Sequence, residues 1–524
     1  MGEKNMENSR TQNSIRNIIF GAFNRFTSIL FPFIIRTIFI KVLGEEYLGI
    51  NSLFSSILQV LNLADLGFAS AIIASMYKPI AENDVTTVSA LLNLYRKIYK
   101  VIGGSIFVLG LILTPFIKIF INGTPPEEVN IYVLWLLYLT NTVVSYLFFA
   151  YKVSLLNALQ RNDIVEKIGA VTRSFTSILQ IVIVLTCKNI IIYVLLNVIC
   201  SILYNVWCCI VCDKKYPQYV CKGTLNKEIE KTIYKNIGAL AIQKIGSTVS
   251  LSLDAIIISA FLGLTTVAIY GNYYYIISAI TSFVALVYAA ITASIGNSIA
   301  IETPEKNYID FKKMFFLNTW LIGWCCICFM CIFQDFMIVW MGKDLLFGMD
   351  IVFTLVLRFF FEQVRKIVLT YKDAAGMWYL DKWRPLVGCI VNLILNIALV
   401  KNVGVAGVAI STIVSYALVE LPWETHVLFK HYFHKSEKEY YKIACCVIAK
   451  LGIAGIITYW MCRMVPFSGI CAVIVKTGMC ITIPNVMFIA LNIYNKDFKN
   501  GSELVIRIGT ILMKKFKKAS KLSN

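Results

Sequence analysis

Charge is what this sequence has least of. Only 15% of its 524 residues are Asp, Glu, Lys or Arg, against roughly 25% in ordinary soluble domains. Acids are scarcer still than bases, 30 against 49, and histidine occurs three times. No polar stretch is long enough to hold a separate soluble domain. There is no phosphate-binding glycine loop, no nucleophile-histidine constellation and no ligand set at metal-site spacing. These gaps exclude a soluble enzyme and a nucleotide-driven pump, so no catalytic residue, cofactor or metal is expected. What is plentiful is apolar. Hydrophobic residues make up 58% of the chain, and mean hydropathy is +0.72. Stretches of about 20 apolar residues recur along the whole length, which is the pattern of membrane-spanning helices and not the weak alternation of a barrel.

The expected fold is therefore an all-α polytopic membrane protein. Fourteen spans fit the pattern: 17–40, 48–76, 101–121, 131–151, 165–186, 190–212, 236–262, 267–298, 314–334, 351–371, 384–400, 405–428, 443–462 and 468–493. No removable signal peptide is read at the start, where span one serves as its own insertion signal. With charges at span edges assigned to the adjoining side, 34 Lys and Arg fall on the side of the termini, 6 on the other and 9 within spans. The positive-inside rule then places both termini in the cytoplasm. Most of the net charge of +19 is thereby topology, and nucleic acid is not an expected partner. In the basic tail, Leu504, Ile508, Ile511 and Leu512 can share a helix face and Lys514, Lys517 and Lys518 follow, a combination that suits the anionic inner leaflet.

A weak internal repeat organises the spans. Shifting by 219 residues superposes Arg16 on Lys235, Asn17 on Asn236, Asn24 on Gln243, Arg25 on Lys244 and Gly44 on Gly263. Six spans separate the two starts, so the halves share one orientation and a pseudo-twofold axis along the membrane normal. The expected divisions are an N-lobe (1–235), a C-lobe (236–442), helices 13 and 14 (443–493) and a basic cytoplasmic tail (494–524). Two six-helix lobes would enclose a cleft.

Charges inside the spans point to the site. Eleven residues of helix turn through about 1100°, placing Arg36 on the stripe of Arg25, together with Asn24, Ser28 and Pro32. An intramembrane cation costs roughly 2.5–3.5 kcal/mol on insertion scales, so such residues face a cavity or a partner. Span ten repeats the pattern: in "LRFFFEQVRK", Glu362 is placed to pair with Arg358, Arg365 or Lys366. Nine cations within spans against five acids imply an anionic ligand, since an unpaired buried charge is costly. Phosphate or pyrophosphate suits arginine through bidentate hydrogen bonds. The sixteen cysteines, including Cys325, Cys326, Cys328 and Cys331 in one span, read as small packing residues. His426, His431 and His434 read as a solvated loop, and the Asn122-Gly-Thr124 sequon as accidental.

The runs "RTIFIKVLGEEYLGINSLF" (36–54) and "LNLADLGFASAIIASMYKPIAENDVTTVSALLNLYRKIYKVIGG" (61–104) resemble the bacterial polysaccharide transporters of the multidrug/oligosaccharidyl-lipid/polysaccharide superfamily, which flip lipid-linked O-antigen or capsule repeat units. The resemblance implies fourteen helices in two six-helix lobes plus two C-terminal helices, in the bacterial cytoplasmic membrane. It implies alternating access carrying undecaprenyl-pyrophosphate-linked glycan outward. By the same resemblance Arg25 and Arg36 are substrate-binding candidates, joined by Lys244 at the repeat-related place and by Arg358 from its depth in span ten. Asp65, Asp254, Glu362, Arg365 and Lys366 are candidates for ion coupling, with Na⁺ or H⁺, or for structural ion pairs. Membrane lipids, a polysaccharide polymerase and assembly proteins are the implied partners. Two other readings are a cation-exporting multidrug antiporter, which the cation excess disfavours, and a membrane polysaccharide polymerase, disfavoured by external loops of at most about 16 residues.

Overall fold

The structure, a computed structural model, describes residues 25–62, 68–123, 125, 126, 129–228, 230, 231, 233, 234, 252–494 and 498. Asp65, Lys244 and the tail from residue 499 lie outside the described residues. Among the described residues the regular structure is all helical, with no strand. Among the described residues, seven helical runs are long and apolar enough to cross a membrane, or eight if one bent pair forms a single span. The chain divides into two compact units, Met1–Asn272 and Tyr273–Asn524.

In the first unit, helix α1 covers residues 25–42. It is followed by α2 (Glu45–Leu61), α3 (Phe68–Ala81), α4 (Val85–Leu113), a 3₁₀ turn (Thr114–Phe120), α5 (Ile131–Leu147), α6 (Ala150–Ala158), α7 (Asn162–Thr186), α8 (Ile190–Lys215) and α9 (Ser252–Leu262). Caps fix several starts. Asp84 accepts from the Thr87 amide, Asn130 from those of Tyr132 and Val133, and Asn189 from those of Ile191 and Ile192, occupying N–H groups that a helix start leaves unpaired. Packing then orders the bundle: Phe54 meets Trp135 and Tyr138 edge-on at 5.3 and 5.6 Å. Gly110 lies against Leu139 so closely that a Cβ there would stand 2.4 Å from it.

Gly44 and Gly263, paired in the sequence repeat, both have positive φ, +100° and +91°. Each sits between the end of one helix and the start of the next, a conformation that side chains disfavour. The sequon Asn122 is occupied structurally, its Nδ2 donating to the Phe261 carbonyl at 2.6 Å.

Helix α10 (Leu264–Ile301) contains the boundary between the units. The second unit continues with α11 (Pro304–Met341), α12 (Met349–Val364), α13 (Lys366–Ala374), α14 (Arg384–Val414), a π-helical turn (Ser415–Glu420), α15 (Leu421–Leu428), a second π turn (Phe429–Phe433), α16 (Glu437–Arg463) and α17 (Gly469–Asn492). The expected interruption between 400 and 405 is a kink at Gly404, φ +64° and ψ −142°, within α14. Expected spans 314–334 and 443–462 are longer helices here, because Thr303 and Ser436 cap them further upstream. Helices α16 and α17 both pack on α11, with Trp320 stacked on Phe488 at 5.4 Å. Gly323 gives Leu451 room that a Cβ, at 2.5 Å, would fill.

Candidate functional site

Helices α1, α5, α7 and α8 of the first unit, with parts of α2, α4 and α6, surround a cavity of about 850 Å³. Its wall is polar for a membrane protein. From α7 come Glu166, Thr172, Arg173, Thr176, Ser177 and Gln180, and from α8 Tyr193, Asn197, Ser201, Tyr204 and Asn205. On each helix these recur at intervals of three or four, so one face is polar while Phe175, Ile178, Val182 and Leu185 of α7 stand exposed on the other. The cavity's polar groups hold one another in place. Gln180 donates to Asn197 at 2.7 Å, Ser201 to Asn141 at 3.0 Å, Asn205 to the Ser145 carbonyl at 3.3 Å, and Tyr138 to Asn51 at 2.7 Å.

Arg36 enters this cavity from α1 beside Pro32. Its Nε donates to Oδ1 of the fully buried Asn272 at 3.1 Å. Glycine at 271 makes that position available, since a Cβ there would lie 2.7 Å from Arg36 Nη2. Phe39, one turn on, packs edge-on against Tyr193 at 5.3 Å. Arg36, Arg173 and Glu166 are the charged residues of the lining. Arg25, the other arginine of the stripe, is exposed at the start of the described part of α1 and does not line the cavity. Asp254 is fully buried in α9 and accepts from Tyr270 at 3.2 Å.

The second unit holds a different constellation. Arg365 pairs with Glu420 at 2.7 Å and Glu424 at 2.6 Å. Arg384 contacts the same two acids at 2.5 and 2.8 Å and Asp381 at 2.8 Å. Lys372 reaches Asp381 at 2.6 Å. Three cations and three acids, almost entirely removed from solvent, thus form one network, with Arg365 also lying over the Tyr416 ring. Gly388 leaves space for Glu420. Glu362, placed by sequence next to these cations, accepts from Gln363 at 3.2 Å, and Gln363 in turn accepts from Lys366 at 2.8 Å. Arg358 is buried beneath the Tyr274 ring at 5.4 Å.

Elsewhere, Lys476 pairs with Asp335 at 2.5 Å and Lys450 donates to Asn492 at 2.9 Å. Cations read within spans of the second unit thus have partners of several kinds: Arg365 meets Glu420 and Glu424, Lys476 meets Asp335 at a span edge, and Lys366 and Lys450 donate to the amides of Gln363 and Asn492. In the first unit the cation excess centres on the cavity of Arg36 and Arg173. Arg173 appeared in sequence only as one more intramembrane charge, and Glu166 not at all. The polar stripe Glu166, Thr172, Arg173, Thr176, Gln180 was the available signal.

Among solved structures, the chain is similar to the lipid II flippase MurJ in an inward closed conformation, with TM-score 0.64, 15% identity, and coverage of 91% of this chain and 99% of that one. An inward-facing multidrug-resistance MATE-family transporter of the MOP superfamily gives TM-score 0.56 at 16% identity, covering 76% and 94%. A MATE transporter of Vibrio cholerae gives 0.52 at 14%, covering 82% and 100%. At these identities the likeness establishes a shared transporter fold. No curated protein matches in sequence. Residues 14–292, a region that contains every wall of the polar cavity, match the family described as polysaccharide biosynthesis protein, and the chain belongs to that family.

Proposed function

We propose that this protein is a flippase that moves undecaprenyl-pyrophosphate-linked oligosaccharide repeat units from the inner to the outer leaflet of the bacterial cytoplasmic membrane by alternating access, with both termini cytoplasmic. The observation that carries the reading is the 850 Å³ cavity of the first unit, where Arg36 and Arg173 stand among hydroxyls and carboxamides with a single acid. Two guanidiniums suit a pyrophosphate, which accepts bidentate hydrogen bonds. The surrounding hydroxyl and amide groups suit a glycan, whose many polar groups lose little when water is exchanged for such partners. Translocation needs no bond to be made or broken, and an inside-negative potential favours outward movement of an anion by about 2.3 kcal/mol per charge per 100 mV.

Family membership and the MurJ-like fold support a lipid-linked glycan as cargo. The MATE-like fold keeps a cation antiporter as the second reading, for which Glu166 is the one cavity acid. Purified protein in proteoliposomes separates the two. A pyrophosphate-linked polyprenyl glycan should bind, and Arg36→Ala and Arg173→Ala should each weaken that binding at least tenfold while membrane abundance is kept. Lipophilic cations bound with an affinity dependent on Glu166, and no response to the arginine substitutions, would establish the antiporter instead. Arg25 and Lys244 remain part of the proposed cationic path, Arg25 standing toward the cytoplasmic end of α1.

A further inference from the structure

Three helices of the second unit each direct a cysteine to one point. Cys331 of α11, Cys462 of α16 and Cys480 of α17 have sulfurs all within 4.8 Å of one another, and the three residues are 6%, 2% and 0% exposed. Cys328, one turn from Cys331 on α11, packs against the same cluster. We propose that this cluster is a binding site for a soft monovalent metal ion of the Cu(I) class, held by Cys331, Cys462 and Cys480.

The geometry is close to what such an ion needs. With metal–sulfur bonds of about 2.3 Å, three sulfurs arranged trigonally stand about 4.0 Å apart, so contraction of less than about 1 Å completes the site. Packing alone does not explain how Cys480 is positioned. Pro484 lies four residues further along α17 and has no N–H to give the Cys480 carbonyl, the partner that a regular helix would supply. Trp324 of α11 replaces it, its Nε1 donating to that carbonyl at 2.8 Å. The missing hydrogen bond of α17 is thereby replaced from α11 at a residue that carries one of the three sulfurs.

Three sulfur donors in an apolar wall of Ile327, Ile332 and Met479 select soft ions over hard ones. Ligand number favours Cu(I), because a structural zinc site takes four ligands. Coordination takes the proton from each thiol, so one Cu⁺ held by three thiolates displaces three H⁺ to solvent. The neighbouring ion pair, Lys476 four residues before Cys480 and Asp335 four after Cys331, is already balanced at 2.5 Å. Bound there, the ion would fasten α16 and α17 to α11.

The test uses full-length protein in detergent with the exposed Cys187, Cys445, Cys446 and Cys471 changed to serine. Anaerobic incubation with Cu(I) and a competing chelator should leave about one copper per chain, with a thiolate-to-copper absorption band and a sulfur-only shell in X-ray absorption. Cys331→Ser, Cys462→Ser and Cys480→Ser should each lower retained copper at least fivefold, whereas Cys331→Met, which keeps a sulfur donor, should retain more than Cys331→Ser. A monodisperse triple serine variant that holds as much copper as the parent would overturn the proposal. So would retention of zinc in place of copper, or a Cys462–Cys480 disulfide in metal-free protein purified without reductant. Should the serine variants fail to fold, the absorption shell of the parent decides, and a nitrogen or oxygen shell refutes the site.

Discussion

Adding one methyl group at Gly271 tests the cavity's cationic role without touching a charge. A Cβ there would stand 2.7 Å from Arg36 Nη2, where ordinary contacts begin at 3.4 Å, and 3.5 Å from Ser52 Oγ. The end of a long side chain can retreat, so the Arg36 guanidinium should withdraw by about 0.7 Å in Gly271→Ala, a displacement of the size that disables positioned groups. The Arg36–Asn272 hydrogen bond, 3.1 Å long, then passes out of range. A misplacement of about 1 Å can cost about a hundredfold, so binding of a pyrophosphate-linked lipid should fall about ten- to a hundredfold. Loss of the bond costs roughly 1.5–3 kcal/mol of stability, which alanine in place of glycine within a helix such as α10 offsets by about 0.5–1 kcal/mol. Glycan export in a strain lacking the native gene, scored beside membrane abundance, reads both effects. Export falling well beyond any fall in abundance is expected. Export within twofold of the parent, or abundance falling in parallel with export, would refute the argument.

Glu424→Gln should sharply reduce folded protein, since it leaves Arg365 and Arg384 short of a buried partner at a cost of about 3–5 kcal/mol. Glu362→Gln should cost less, and thermal unfolding in detergent ranks the two. A double-mutant cycle between Glu424 and Arg384, 2.8 Å apart, should show strong coupling, and simple additivity would remove the network. Hydrogen bonds from Thr86 and Thr87 hold the Asp84 carboxyl at about 2, below its ordinary 3.8. A depressed folded value means that Asp84's contribution is complete above about 3.8 and is lost as pH falls through 2, so the stability difference between parent and Asp84→Ala should shrink across that interval. For topology, a cytosolic reporter after Thr224 should be active and one within 122–128 inactive. The reverse pattern would overturn the assigned orientation.

Membrane residence, helical class and family resemblance are legible in the sequence because they rest on local quantities: hydropathy summed over about 20 residues, and runs of residues read in order. Arg36 was likewise legible, since a cation inside an apolar helix has few places to go. The pairing of Gly44 with Gly263 was also visible, and both prove to be left-handed junctions, because such a conformation selects a residue type at a single position. What sequence order left open was which distant groups meet. Arg365 lies three residues from Glu362, yet its ion pairs run to Glu420 and Glu424, because helix packing places α15 and the preceding π turn against it. Arg384 and Asp381 read as the edge of a span and are instead buried within that network. Cys331, Cys462 and Cys480 are separated by more than a hundred residues at the first step and look unrelated until α11, α16 and α17 pack together. Side-chain charge and hydropathy are properties of a residue, whereas a partner's identity belongs to the packing of helices, and tertiary structure alone decided it.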